Sequence, residues 1–213
     1  TRKGYLDGVR DLLCRWTGCA CVGIRLTDPK NQIPYESYCG LDLAFWQQEN
    51  CLSLDRDQCI CIRVVKGTPE PQDMPYISLG GSFVCNNADR LVGEIGPEHI
   101  KRFRGTCIQT GYQSITALPL RYRSQIIGAI HMADRQLEKF PDGLIEFIEA
   151  MSPLIGEAVH RFNMEDSLRQ SHELFSAAFD QTFQFMALLA TDGRVLELNR
   201  ASAALFGMGK EGA

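Results

Sequence analysis

Cysteine is the chemically distinctive residue of this 213-residue chain. The nine are Cys14, Cys19, Cys21, Cys39, Cys51, Cys59, Cys61, Cys85 and Cys107, and none follows position 107. Thiols can ligate a metal, carry redox chemistry or sit inert as small hydrophobes. The odd count and the polar opening TRKGYLDGVRD, which carries no signal peptide, argue against a full disulfide framework and for a reducing cytoplasm. No C-x-x-C pair occurs, so the common zinc-ribbon spacing is missing. Cys59 and Cys61 would share a face on a strand and point apart on a helix. With Cys85, Cys107 and His131 they are candidate ligands for zinc or an iron–sulfur cluster, and an imidazole beside a thiol could hold haem. The alternative is no cofactor, with structural thiols and a core histidine. Catalysis has little support. No G-x-S-x-G, H-E-x-x-H, Walker or G-x-G-x-x-G motif is present, although a Cys–His pair is spatial and leaves no local signature.

These side chains must be positioned by regular elements. Leu6, Val9, Leu12, Leu13 and Trp16 recur at three- and four-residue steps and predict a first helix, closed by Thr17-Gly18. Residues 19–26 alternate as a strand. Asp28-Pro29-Lys30-Asn31 is a turn, a second strand covers 33–40, and a short helix covers 41–51. Residues 59–65 read as a short helix or strand. Pro97 and Gly111 bracket a helix over 97–110, with Ile100, Phe103 and Cys107 on one face. Segments 114–122 and 126–134 form a β-hairpin. Pro141 opens a long helix with the stripe Leu144, Ile148, Met151, Ile155, Val159 and Phe162, which Pro153 should kink. Two short strands, 185–190 and 195–198, flank an Asp192-Gly193 turn, and a helix follows at 201–206. Two strands and a helix cannot close a core alone, so this end reads as the front of a second domain.

Composition excludes several functions. The chain is 45% hydrophobic and 23% charged, with a formal charge of −4. It is too apolar for disorder, and its scattered Lys and Arg make no nucleic-acid patch. No apolar run is long enough to span a membrane. The start at Thr1 and the stop at Ala213 suggest a fragment.

The block SITALPLRYRSQIIGAIHMAD, followed by FPDGLIEFIEAMSPLIGEAV, resembles the end of a GAF domain, and the first helix and strand fit its opening. The resemblance covers about residues 2–163. The tail resembles the start of a PAS domain through Phe175, Ala178, Phe179, Asp180, Asp192-Gly193-Arg194-Val195, Asn199, Ala201 and Leu205-Phe206-Gly207. This implies a GAF sensor domain at 1–163, a connecting helix at 164–179 and an incomplete PAS domain at 172–213. The implied fold is α+β: an antiparallel sheet with the entering and leaving helices on one face and a loop-roofed pocket on the other. The implied function is a cytosolic sensory input module, as in a sensor histidine kinase. It would bind a small molecule and signal through the 141–179 helix of a homodimer to a downstream kinase or output domain in the same chain. A metal- or haem-centred redox sensor, and a dimerisation module without ligand, are the alternatives.

Strand alternation chooses the faces of that sheet. In 126–133 the bulky set Ile126, Ile130 and Met132 suits helix packing. The set Ile127, Ala129, His131 and Ala133 leaves room beside one imidazole. Cys19, Cys21 and Arg25 lie on the matching face of the first strand. The candidate ligand-binding residues are therefore Cys21, Arg25, Tyr38, Trp46, Cys59, Cys61, Ser82, Cys85, Cys107, Arg121 and His131. Arg25 and Arg121 could grip a carboxylate or phosphate. Tyr35, Tyr38, Phe45 and Trp46 could wall an apolar ligand.

Overall fold

A computed structural model describes residues 1–100 and 104–206, in two compact units, Thr1–His160 and Arg161–Ala213. In the first unit α1 (Arg2–Thr17) begins where the Thr1 hydroxyl accepts from the Gly4 amide and ends at Gly18, whose φ of 59° is left-handed. β1 (Cys21–Leu26) follows. The segment expected as one strand over 33–40 is two, β2 (Gln32–Ile33) and β3 (Tyr35–Cys39). Pro34 divides them, because it has no amide hydrogen to donate. β2 leaves the main sheet and pairs with β4 (Leu52–Ser53), beyond α2 (Leu43–Glu49).

Residues 59–65 resolve as helix. α3 (Ile60–Lys66) has Cys59 as its extended N-cap and Gly67 as its left-handed C-cap. A 3-10 turn, Met74–Tyr76, leads into β5 (Phe83–Cys85) and α4 (Ala88–Ile100). The continuous helix expected over 97–110 does not form. α4 breaks at Gly96, with φ of 71°, and after the left-handed Gly105 only the short α5 (Thr106–Gln109) carries Cys107. The expected position of Phe103 lies outside the described residues.

β6 (Ser114–Tyr122) and β7 (Gln125–Asp134) form the expected hairpin at the centre of a five-stranded antiparallel sheet, ordered β3-β1-β7-β6-β5. One face packs on helices. Val22, Ile24, Leu26, Leu118, Leu120, Ile130 and Met132 share a buried core with Leu6 and Leu13 of α1 and with Ile145, Ile148, Ile155 and Val159 of α6 (Asp142–Gln181). Pro153 does not break α6, which runs through it for 40 residues. Helix and sheet meet closely at Gly156, where an added Cβ would sit 1.9 Å from the Arg121 carbonyl oxygen. Beside it the Ser152 hydroxyl donates to the Pro119 carbonyl and accepts from the Arg121 amide. Cys19 precedes β1, and its side chain packs into the helix-side core, not on the small face.

In the second unit, β8 (Ala187–Leu189) and β9 (Val195–Leu198) form a hairpin followed by α7 (Arg200–Leu205). Buried Asn199 ties it together. Its side chain accepts from the Met186 and Ser202 amides and donates to the Phe179 and Gln184 carbonyls. No described helix is long and apolar enough to cross a membrane.

Candidate functional site

On the sheet face away from the helices, Gly23 makes the floor. A side chain there would meet the Tyr35 ring at 2.3 Å, so only glycine lets that ring lie across β1. The Arg25 guanidinium stacks on Tyr35, 3.6 Å from the ring centroid. Arg25 is 1% exposed. It donates to the Ile33 and Asn50 carbonyls at 2.7 and 3.1 Å and to the Glu49 carbonyl at 2.6 Å. The expected grip on a carboxylate or phosphate is therefore occupied by main chain. Arg25 pins β2 and the end of α2 to the sheet, leaving its Nε, which has no acceptor among the described residues.

His131 lies opposite Gly23 in the β1–β7 register. Its Nδ1 is 3.0 Å from the Tyr35 hydroxyl, its Nε2 is 3.7 Å from Cys107 Sγ, and Phe45 stacks parallel to the ring. Burial, aided by the Arg25 charge, lowers the imidazole pKa to about 3. Burial also pushes the Cys107 thiol well above its ordinary value. Both groups are thus neutral at pH 7, so they form no thiolate–imidazolium pair. A phenol donating to Nδ1 leaves the ring proton on Nε2, facing the Cys107 sulfur. Cys21, pushed to about 12 mainly by burial, interacts with Tyr112.

No protein-family model and no curated protein sequence matches the chain. Solved structures do. A domain of a putative two-component sensor histidine kinase from Sinorhizobium meliloti 1021 is 15% identical, with TM-score 0.53, over 77% of this chain and 94% of that one. The GAF domain region of a putative membrane protein from Geobacter sulfurreducens PCA is 15% identical, with TM-score 0.56, over 75% and 93%. The type II free methionine-R-sulfoxide reductase from Thermoplasma acidophilum is 14% identical, with TM-score 0.55, over 76% and 94%. The chain has a GAF fold. At these identities the likeness is one of fold alone.

The GAF sheet gathers only some of the candidate residues. Cys21, Arg25, Cys59, Cys61, Cys107 and His131 belong to the face opposite the helices. Tyr38 and Trp46 lie at its rim, with rings 6.0 Å apart, and the buried Trp46 Nε1 has no acceptor. Cys85 and Ser82 do not roof the Arg25–His131 group. They belong to β5 and its approach, at the opposite edge of the sheet, where the Ser82 amide donates to Ser78 and Glu149. Arg121 does not join Arg25 either; it reaches the Gly80 carbonyl at 3.0 Å. Among the described residues no three His, Cys, Asp or Glu side chains are placed to hold a metal ion, so the candidate set Cys59, Cys61, Cys85, Cys107 and His131 does not gather at one point.

Three pairings escaped the sequence reading. Asp73 is fully buried and takes Arg63 in two parallel contacts of 2.6 and 2.9 Å, bracing α3 against the loop before β5. Buried Glu49 accepts from Arg104 and Thr106, holding α5 over the thiols. Cys14 and Cys39 form a disulfide between α1 and β3. Gly23, a glycine inside β1, was a local signal. Two cavities line other parts of the sheet. A half-open cavity of about 620 Å³ borders β5 and the start of α6, and one of about 260 Å³ lies between Arg63 and Arg121.

Proposed function

We propose that this chain is the sensory input portion of a signal-transduction protein. A small molecule would be read at the His131 face of the GAF domain, and the output would pass through α6 of a homodimer. The observation that carries the reading is an unpartnered apolar strip on the helical side. Trp16 of α1 packs edge-on against Phe147 of α6 at 4.8 Å, yet they remain 51% and 52% exposed. Leu12, Met151 and Leu154 extend the strip. Such a patch marks a partner surface, and self-pairing of parallel helices is the economical way to cover it. The strip takes only part of the sequence stripe, because Ile148, Ile155 and Val159 are spent on the domain's own sheet while Met151 stays partly exposed.

The description of one fold neighbour as part of a sensor histidine kinase supports this reading. The buried Asn199 junction and the hairpin turn at Asp192-Gly193 support reading 172–213 as the opening of a PAS domain. A downstream kinase or output domain is then the receiver of the helix signal.

The dimer is tested by light scattering after size exclusion. The wild-type chain is expected at twice its monomer mass. Phe147→Glu is expected to weaken association at least about 100-fold, by burying a charge in the seam. A monomeric wild type at high concentration would remove the seam.

The ligand is tested in a Trp16→Phe background, where Trp46 is the sole tryptophan and is excited selectively at the red edge. Among the described residues, Trp46 Nε1 at the rim of the His131 face and Arg25 Nε are buried donors without an acceptor. A ligand oxygen meeting either would recover about 1–3 kcal/mol. Small carboxylates and nucleotides are the first probes. A binder should change Trp46 emission and raise the melting temperature together. A set of probes that does neither would favour a dimerisation module without ligand.

A further inference from the structure

The excess negative charge of the chain is gathered in one place. The half-open cavity of about 620 Å³ beside β5 and the start of α6 is lined by Glu94, Glu138, Asp142, Glu146 and Glu149, against one guanidinium, Arg90. Five carboxylates and one cation give a formal −4, which is also the formal charge of all 213 residues. Outside the cavity acidic and basic residues therefore balance in number. Little inside the protein relieves the imbalance. Arg90 pairs with Glu94 at 2.7 Å, and the Tyr76 hydroxyl donates to the same carboxylate. Glu149 accepts from neutral donors, the Ser78 hydroxyl and the Ser82 amide. Among the described residues no ion pair reaches Glu138, Asp142, Glu146 or Glu149. The helix dipole favours Asp142 in the first turn of α6, but Glu146 repels it from one turn further on.

The shape of the cavity is set by the sheet edge. Val84 of β5 and Ile145 of α6 line it and belong to the helix-side packing, so it lies apart from the His131 face. Ile77 adds a third apolar side chain. The Asn86 side chain ties the acidic wall to the end of β5. It donates to the Phe140 carbonyl at 2.8 Å and accepts from the Phe140 amide at 2.9 Å, while the Asn86 carbonyl accepts from the Glu138 amide at 3.0 Å. The carboxylates surround the space without converging. Among the described residues no three such side chains are placed to hold a metal ion. Dispersed charge over an apolar base suits an extended organic cation better than a compact metal ion. Asp142 and Glu146 are one helical turn apart, about 6 Å along the axis. Three or four methylenes between two amine nitrogens span a similar distance.

We propose that this cavity binds a linear aliphatic polyamine. Its alkylammonium groups, protonated at pH 7 as lysine is, meet the carboxylates of Asp142, Glu146 and Glu138. Its methylenes lie on Ile77, Val84 and Ile145, where they leave water. The volume falls within the span of about 300–1,000 Å³ typical of small-molecule sites. Selectivity follows from the same parts: a compact dication cannot reach carboxylates set a helical turn apart, and a monoamine meets only one of them. The site requires neither a ligand at the His131 face nor the dimer, so its failure leaves that reading untouched.

The test is isothermal titration calorimetry of the full chain with spermidine, in about 0.15 M salt so that diffuse attraction is screened. One saturable site per chain is expected. Magnesium should bind at least about tenfold more weakly under the same conditions. The double variant Asp142→Asn/Glu146→Gln should weaken spermidine binding at least about tenfold. Glu157→Gln/Glu165→Gln removes the same charge from α6 outside the cavity and should leave the constant within about twofold. Absence of saturable spermidine binding would overturn the proposal. So would magnesium binding as tightly as spermidine, or a control pair that loses as much as the cavity pair, because either marks a counter-ion atmosphere and not a site. If the cavity variant folds poorly, the wild-type comparison of spermidine with magnesium decides.

Discussion

Replacing Arg25 with leucine is expected to cost the first unit about 4 kcal/mol of stability, read from urea denaturation at pH 7. The guanidinium is not a surface charge. It is the donor to the carbonyls of Ile33, Glu49 and Asn50. Leucine leaves all three acceptors without that donor, at about 1–3 kcal/mol each. Relief from burying a cation offsets part of the sum. Lysine should recover less than half, because one ammonium on a flexible stem cannot fill a planar fork that also stacks on Tyr35. A loss below about 1 kcal/mol for the leucine variant would mean that α2 and β2 are held on the sheet by something else.

The faces of the sheet were legible because strand alternation is a strict period of two. Val22 and Ile24, then Ile130 and Met132, could point only one way if Cys21, Arg25 and His131 pointed the other. What Arg25 does was not legible. Its partners are main-chain carbonyls, and those exist at every position. The same holds for Cys59 and Cys61: their spacing matches that of Cys19 and Cys21, yet the first two share one core and the second two are divided by the sheet. Which side of α6 stays exposed was hidden for another reason. Phe147 and Leu154 add a second apolar row beside the stripe, and periodicity cannot say that this row stays uncovered. Arg63–Asp73 and Cys14–Cys39 were hidden because loop paths, not local patterns, bring them together. Ser82 and Arg121 were misplaced because the sequence does not reveal that β5 takes the edge opposite β3.

His131 should make the fold sensitive to mild acid. Its imidazole titrates near pH 3 in the folded chain, against about 6.5 when unfolded. Below pH 6.5 the unfolded chain therefore takes up a proton that the folded chain refuses. The contribution is whole above pH 6.5 and is lost as the pH falls toward 3, at about 1.4 kcal/mol per unit. Between pH 7 and pH 5 the wild type should lose about 2 kcal/mol more than His131→Asn, which keeps polarity but not the titration. Other histidines contribute equally to both proteins, and carboxylates titrate mainly at lower pH, so the difference in slope isolates this ring. Glutamine at 131 serves if asparagine folds poorly. Parallel stability curves for wild type and variant over that interval would show that the imidazole reaches water or a charged partner in solution. The neutral His131–Cys107 contact would then have to be abandoned, and with it the argument that this face holds no ionised imidazole.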